Sequence, residues 1–227
     1  APVPEGANTL TAQEKSEGYE LLFDGKNLPA DKWVGAKYKC AKFPAKGWHV
    51  TGGALQMYPL SLISNGKRVN IPEEDRKLGG GGDIVTKKKY RDFIFKFDFR
   101  LTDSANSGVK YFWDENQNKA SSEEYQLLDK NHPDSNMGAN GNRRVAALYD
   151  IYPAPKAAEV LKPVGQWNSG MIVAKGAKVE HWLNGVKVLE YERFTKAFRN
   201  QVAKSKYLKW ASKGQYWGEV KEGRLLL

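Results

Sequence analysis

Ser107-Gly108-Val109-Lys110-Tyr111-Phe112-Trp113 and Glu123-Glu124-Tyr125-Gln126-Leu127-Leu128-Asp129 read as two β-strands joined by the polar turn Asp114-Glu115-Asn116-Gln117-Asn118-Lys119. Side chains alternate faces along a strand. Glu124 and Gln126 therefore share one face, and Tyr125 and Leu127 share the other. An acid and an amide two residues apart, set among aromatics, are unusual for a plain core strand. They suit an open, sugar-sized groove on a sheet.

Outward from this pair, the same period recurs. In Phe93-Ile94-Phe95-Lys96-Phe97-Asp98-Phe99-Arg100-Leu101 every odd position is apolar, while Lys96, Asp98 and Arg100 point the other way. That pattern predicts an antiparallel sheet with one face on a core. Trp48–Thr51 and Ala54–Tyr58 flank Gly52-Gly53 and predict a hairpin. Trp167–Ala174, Val179–Leu183 and Val186–Tyr191 predict a three-strand meander, with Asn184-Gly185 as a type I′ turn. Tyr19–Phe23 and Val145–Tyr152 are further strand candidates, and the closing Gly223-Arg224-Leu225-Leu226-Leu227 reads as the start of another. Thr11-Ala12-Gln13-Glu14 carries a helix-start signal. Phe194 to Trp210 has helical spacing and is the one sustained helix predicted. Many short strands and a late helix argue an all-β sandwich or jelly roll, with residues 1–18 as a polar segment before a single domain over 19–227.

The bulk numbers narrow the function. The 227 residues suit one β-domain with a sizeable core. A net charge of +10 raises nucleic-acid binding. The lysines are scattered through turns and tails, however, and no nucleic-acid-binding signature appears, so a solvated basic surface is the reading. The single cysteine, Cys40, excludes an intrachain disulfide. No apolar run approaches the ~20 residues of a membrane helix. Gly79-Gly80-Gly81-Gly82 lacks the Gly-Lys-Ser/Thr ending of a phosphate loop and reads as a linker. The start at Ala1, without Met, fits a processed mature form or a cloning choice.

Several segments together resemble one family: Tyr19-Glu20-Leu21-Leu22-Phe23-Asp24-Gly25-Lys26-Asn27-Leu28 before Trp33; Trp48-His49-Val50; Asn106-Ser107-Gly108-Val109; Glu124-Tyr125-Gln126-Leu127-Leu128-Asp129; Ala147-Leu148-Tyr149-Asp150; Pro163-Val164-Gly165-Gln166-Trp167-Asn168; and Glu180-His181-Trp182-Leu183-Asn184-Gly185-Val186. In order and spacing the chain is similar to the 3-keto-disaccharide hydrolase domain family. The resemblance implies a concanavalin A-like jelly roll of two antiparallel sheets. It also implies an exported bacterial protein, periplasmic or lipid-anchored, acting on glycosides that a partner sugar 3-oxidoreductase has oxidised at carbon 3. Members usually continue past a Gly-Xaa-Leu-Leu-Leu stretch into a Gln-Asp-His-Gly-Asp turn and a final strand, whereas this sequence stops at Leu227.

A ketone at C3 of a sugar acidifies the C2 proton. Removing that proton lets the C1 substituent leave, and water added afterwards gives net hydrolysis. The route needs a base, an acid for the departing oxygen and a group that polarises the ketone. Glu124 is the candidate base or metal ligand, and Gln126 orients substrate hydroxyls. Asp129 and His132, just past the strand, are catalytic candidates aimed back by the long polar loop Lys130–Asn142. Lys110 is the candidate for stabilising an enolate. Tyr149 and Asp150 are candidate substrate contacts. His181 and Trp182 lie on opposite faces of one strand, so at most one shares the groove. For His181 a packed, hydrogen-bonded core histidine is the alternative, and for Trp182 a core aromatic. A divalent metal ion on Glu124, Asp129, His132 and His181 stays open, without any tight ligand spacing. A non-catalytic carbohydrate-binding module on the same fold, or an interaction domain, is the rival reading.

Overall fold

The alternation of Phe93–Arg100 is realised as an unbroken run of in–out burial, with Lys96, Asp98 and Arg100 exposed. The computed structural model describes residues 1–59, 62–64, 67–116, 122–210 and 217–227. In chain order its strands are β1 (Trp33–Gly35), β2 (Trp48–Thr51), β3 (Ala54–Met57), β4 (Leu62–Ser64), β5 (Lys67–Val69), β6 (Ile84–Thr86), β7 (Phe93–Arg100), β8 (Asn106–Trp113), β9 (Glu123–Leu128), β10 (Trp167–Lys175), β11 (Lys178–Leu183), β12 (Val186–Glu192) and β13 (Arg224–Leu226). Four short helices accompany them: α1 (Ala12–Ser16), α2 (Glu73–Leu78), α3 (Ala157–Val160) and α4 (Lys196–Val202).

The chain divides into two units, Ala1–Leu62 with Arg68–Lys88, and Ile63–Lys67 with Lys89–Leu227. In the first, β1 pairs antiparallel with β6, and β2 with β3. Thr11 and Glu14 form a reciprocal capping box on α1. Residues 1–18 are not a loose tail, since the Asn8 side-chain amide donates to the Gly53 carbonyl at 2.8 Å. Pro72 precedes α2, and Glu73, Glu74 and Asp75 fill its first turn, where they complement the helix dipole.

The second unit carries the sandwich. One sheet runs β13-β8-β9 and the other β12-β11-β10-β7, with antiparallel pairing throughout. Their inner faces meet through aromatics. Tyr125 packs edge-on to Phe97 at 5.3 Å between ring centroids and lies 4.7 Å from His181, while Tyr111 meets Phe93 and His181. Val179, His181 and Leu183 are fully buried on this inner face. The all-β jelly-roll sandwich expected from the sequence is thus the fold.

Three local expectations are corrected. Tyr19–Phe23 forms no strand, and its Leu22 carbonyl instead accepts from the Trp33 indole at 2.9 Å. Val145–Tyr152 is a chain of turns, with Ala146 and Asp150 at φ of 60° and 63°, left-handed backbone that breaks an extended run twice within five residues. It still bridges to β9 at Tyr125 and Leu148. The long helix from Phe194 shortens to α4: Thr195 caps its start, and the chain turns at Ser205 into a separate 3₁₀ segment, Lys206–Trp210. The tip of the β8–β9 turn lies outside the described residues, whereas the Ala54–Met57 hairpin arm, the meander and the closing strand stand as expected.

Candidate functional site

Alternation sends Tyr125 and Leu127 into the sandwich and leaves Glu124 and Gln126 on the face of β9 turned away from it. Glu124 is half-buried there, and Gln126 is only 1% exposed. Lys110, the cross-strand partner of Glu124, lies on the same face. The Glu124 side chain leans diagonally over Gly108, where a Cβ would meet its Oε1 at 2.1 Å. The backbone of the loop after β9 docks against this strand: Tyr149 N–H donates to Glu124 O at 3.0 Å, Gln126 N–H to Ala147 O, and Ala146 N–H to Gln126 O. The Gln126 amide nitrogen donates to Asn106 Oδ1 at 3.2 Å, and its buried oxygen has no protein partner.

Arg143 ties the acids of the loop together. Arg143 Nε donates to Asp150 Oδ1 at 2.5 Å, and its guanidinium donates to Asp134 Oδ1 at 3.0 Å. Tyr149 Oη donates to Asp134 Oδ2 at 2.6 Å. Burial pushes the Asp134 carboxyl up, but the Tyr149 and Arg143 hydrogen bonds win and hold it below the usual range. Burial, and then the Asp134 contact, push the Tyr149 phenol up. Asp150 Oδ2 accepts from Lys206 N–H at 2.8 Å and so starts the 3₁₀ segment. That segment brings the Lys206 ammonium 4.1 Å from the Tyr149 ring centroid and 5.2 Å from that of Tyr207. Glu124 raises the pKa of Tyr149, Tyr207 and Lys206 alike, which places its carboxylate within electrostatic reach of all three. Desolvation and then Arg143 nevertheless keep Lys206 below the ordinary lysine value.

The structure brings Glu124, Gln126, Lys110, Tyr149 and Asp150 to one side of β9, Asp150 as the anchor of Arg143. It does not bring the other sequence candidates there. His181 is wholly buried between the sheets, with Nδ1 donating to Ala146 O and Nε2 accepting from Tyr111 Oη, both at 2.8 Å. Burial lowers its pKa to about 4. Trp182 stands on the outer face of the opposite sheet, where its indole donates to Glu180. Asp129 is spent on the Ser104 backbone N–H at 2.7 Å, and His132 Nδ1 on that of Asp134 at 3.1 Å. These placements also separate the four proposed metal ligands, and among the described residues no three His, Cys, Asp or Glu side chains group closely enough to hold an ion. Sequence reading missed Arg143, Asp134, Lys206 and Tyr207. Asp134 and Arg143 sit in or beside the long polar loop that was its own signal, whereas Lys206 was absorbed into a predicted helix.

A two-sheet antiparallel sandwich, with a carboxylate, a carboxamide and an arginine-braced loop on one outer sheet face, defines an all-β jelly-roll protein with a polar site on its sheet. Over residues 18–227 the chain matches the 3-keto-α-glucoside-1,2-lyase-like domain, and it belongs to that family. It is 32% identical over 214 residues to a Bacteroides thetaiotaomicron protein named 3-keto-disaccharide hydrolase, covering 88% of this chain and 67% of that one. It is also similar to a crystal structure from Parabacteroides distasonis, with a TM-score of 0.72, 29% identity, and coverage of 96% of this chain and 90% of that one.

Proposed function

We propose that this chain is an enzyme cleaving the C1 glycosidic bond of 3-keto-glycosides by C2 proton abstraction and elimination. The observation that carries the reading is Glu124: a half-buried carboxylate on the outward face of β9, in electrostatic contact with Tyr149 and Lys206, in a chain of this family. The 3-keto-disaccharide named for the relative supports the substrate class.

In this reading Glu124 takes the C2 proton. The C2–H electron pair becomes the C2–C3 double bond of an enolate, with its charge on O3. The ketone then re-forms, C1–C2 becomes the double bond, and the C1–O electron pair leaves with the aglycone oxygen, which takes up a proton. Water adds at C1, its oxygen bonding there while a proton returns to C2. One water is consumed, and one 3-keto sugar and one alcohol are released. Lys110 lies alongside on β8, whereas the Gln126 amide, buried and bonded to Asn106, braces the strand beneath Glu124 rather than touching substrate. The base and the charge acceptor carry the chemistry, so no matched carboxylate pair is required. The substrate comes from an oxidoreductase acting at sugar carbon 3, and the setting is the cell envelope.

The test is incubation with a 3-keto-glucoside in D2O, followed by NMR. Released alcohol together with deuterium at C2 of the sugar is expected. Sugar affinity without product would instead make this a binding module, and product without C2 deuterium would point to direct displacement.

A further inference from the structure

Elimination through an enolate places a full negative charge on O3, and the reading above leaves open which side chain receives it. Among the described residues two lysines are near: Lys110 on the strand beside Glu124, and Lys206 on the 3₁₀ segment that follows α4. We propose that Lys206 is a catalytic residue, its ammonium being the cation that takes up the O3 charge as the enolate forms. The inference rests on the proposed function.

Three observations carry it. First, Lys206 is positioned rather than loose. Its backbone N–H is fixed by the buried Asp150 carboxylate, and its ammonium rests over the Tyr149 ring at 4.1 Å. Second, the acids around it are already served. Arg143 and the Tyr149 hydroxyl satisfy Asp134, while Arg143 and the Lys206 amide satisfy Asp150. Among the described residues no carboxylate forms an ion pair with the Lys206 ammonium, so its charge is available to a ligand. Third, Lys206 is an exposed residue borne by a different element from Glu124, and Tyr149 joins the two: its ring lies 4.1 Å from the Lys206 ammonium and its backbone N–H donates to the Glu124 carbonyl, which puts base and cation on either side of one residue. A fixed cation aimed at a developing oxyanion needs no reorganisation when the charge appears. A compact ammonium suits a single oxygen better than a guanidinium fork does.

The test compares wild type with Lys206→Met, Lys206→Cys and Lys110→Met on a 3-keto-glucoside bearing a chromogenic leaving group, following kcat, KM and solvent deuterium entering C2. Lys206→Met is expected to lower kcat by about 10²-fold, the usual loss for one oxyanion donor, with KM within a few-fold and deuterium exchange falling in parallel. Lys110→Met is expected to lose less. Lys206→Cys is expected to regain activity when 2-bromoethylamine rebuilds an ammonium at that position, a response that packing over Tyr149 alone would not give. The alkylated wild type controls for Cys40. Full turnover by Lys206→Met, or a Lys206→Cys protein that stays inactive after alkylation, would overturn the assignment while leaving the reaction standing. A wild type that releases no product would remove the reaction, and this inference with it.

Discussion

The Glu124 carboxylate lies over Gly108 so closely that a methyl group at position 108 would fall 2.1 Å from Oε1 and 2.8 Å from Cγ. Gly108 is the cross-strand partner of Gln126, so Glu124 reaches it on the diagonal. The glycine has no role in any turn; it leaves the space in which the proposed base rests. Gly108→Ala should therefore push Glu124 aside while the strand persists. Activity is expected to fall at least tenfold, with a melting shift of only a few degrees, a ΔΔG of about 1 kcal/mol. Kinetics and thermal denaturation on one preparation separate the two effects. A Gly108→Ala enzyme with unchanged kcat would show that the Glu124 pose over Gly108 is not the working one.

Glu124→Gln keeps the shape and removes the base. General-base catalysis contributes about 10²–10⁴-fold, and a loss in that range is expected in kcat, with binding of a 3-keto sugar retained. Isothermal titration measures the binding half. Full turnover by the variant would dismiss Glu124 as base.

The fold and half of the site were legible because both rest on period two. Phe93–Arg100 alternates so cleanly that its inner face could be read directly, and the Glu124/Gln126 face followed from the same rule. That rule also held the answer for His181, since Val179, His181 and Leu183 share one parity and are all fully buried. A histidine flanked at two residues by aliphatics belongs with them. What the sequence could not show is tertiary. Arg143, Asp134 and Asp150 meet through a loop whose path depends on left-handed backbone at Ala146 and Asp150, and the alanine carries no local signal for it. Lys206 fell inside a helical pattern, and only the Asp150 carboxylate, distant in sequence, reveals that the helix restarts there as a 3₁₀ turn.

Arg143 is the tie between loop and site. Removing it as Arg143→Met leaves Asp150, 6% exposed, and Asp134, 14% exposed, without their shared cation. Stranding one partner of a buried pair costs about 3–5 kcal/mol, and the partial exposure of Asp134 reduces this to about 2–3 kcal/mol here. Urea denaturation is the measurement, and Arg143→Lys should recover little because one ammonium cannot span both acids. A Tyr149→Phe change loses only the hydroxyl contact to Asp134 and is expected to cost about 1 kcal/mol.

Two buried groups give stability opposite pH slopes. Glu123 is wholly buried 2.7 Å from Arg193 Nε, a cation it shares with the Gly218 and Val220 carbonyls, to which the Arg193 N–H groups also donate. Desolvation outweighs the attraction of Arg193 and raises Glu123 to about 7. The folded state then binds the proton more tightly than the unfolded one. The stability this contributes is complete below the unfolded value near 4.5 and is lost as pH rises through about 7. His181 runs the other way. Lowered to about 4 by burial, it contributes stability that is present above its unfolded value near 6.5 and lost as pH falls toward 4. Glu123→Gln should match wild type at pH 5 and exceed it at pH 8, since the amide never ionises. His181→Gln should be less stable at neutral pH, by about 1–3 kcal/mol for the disturbed contacts to Tyr111 and Ala146, and should show a shallower loss between pH 6.5 and 4. Melting temperatures across pH 4 to 8 for the three proteins check both slopes. A Glu123→Gln protein that trails wild type by the same margin at pH 5 and pH 8 would mean that this carboxyl does not titrate in the window.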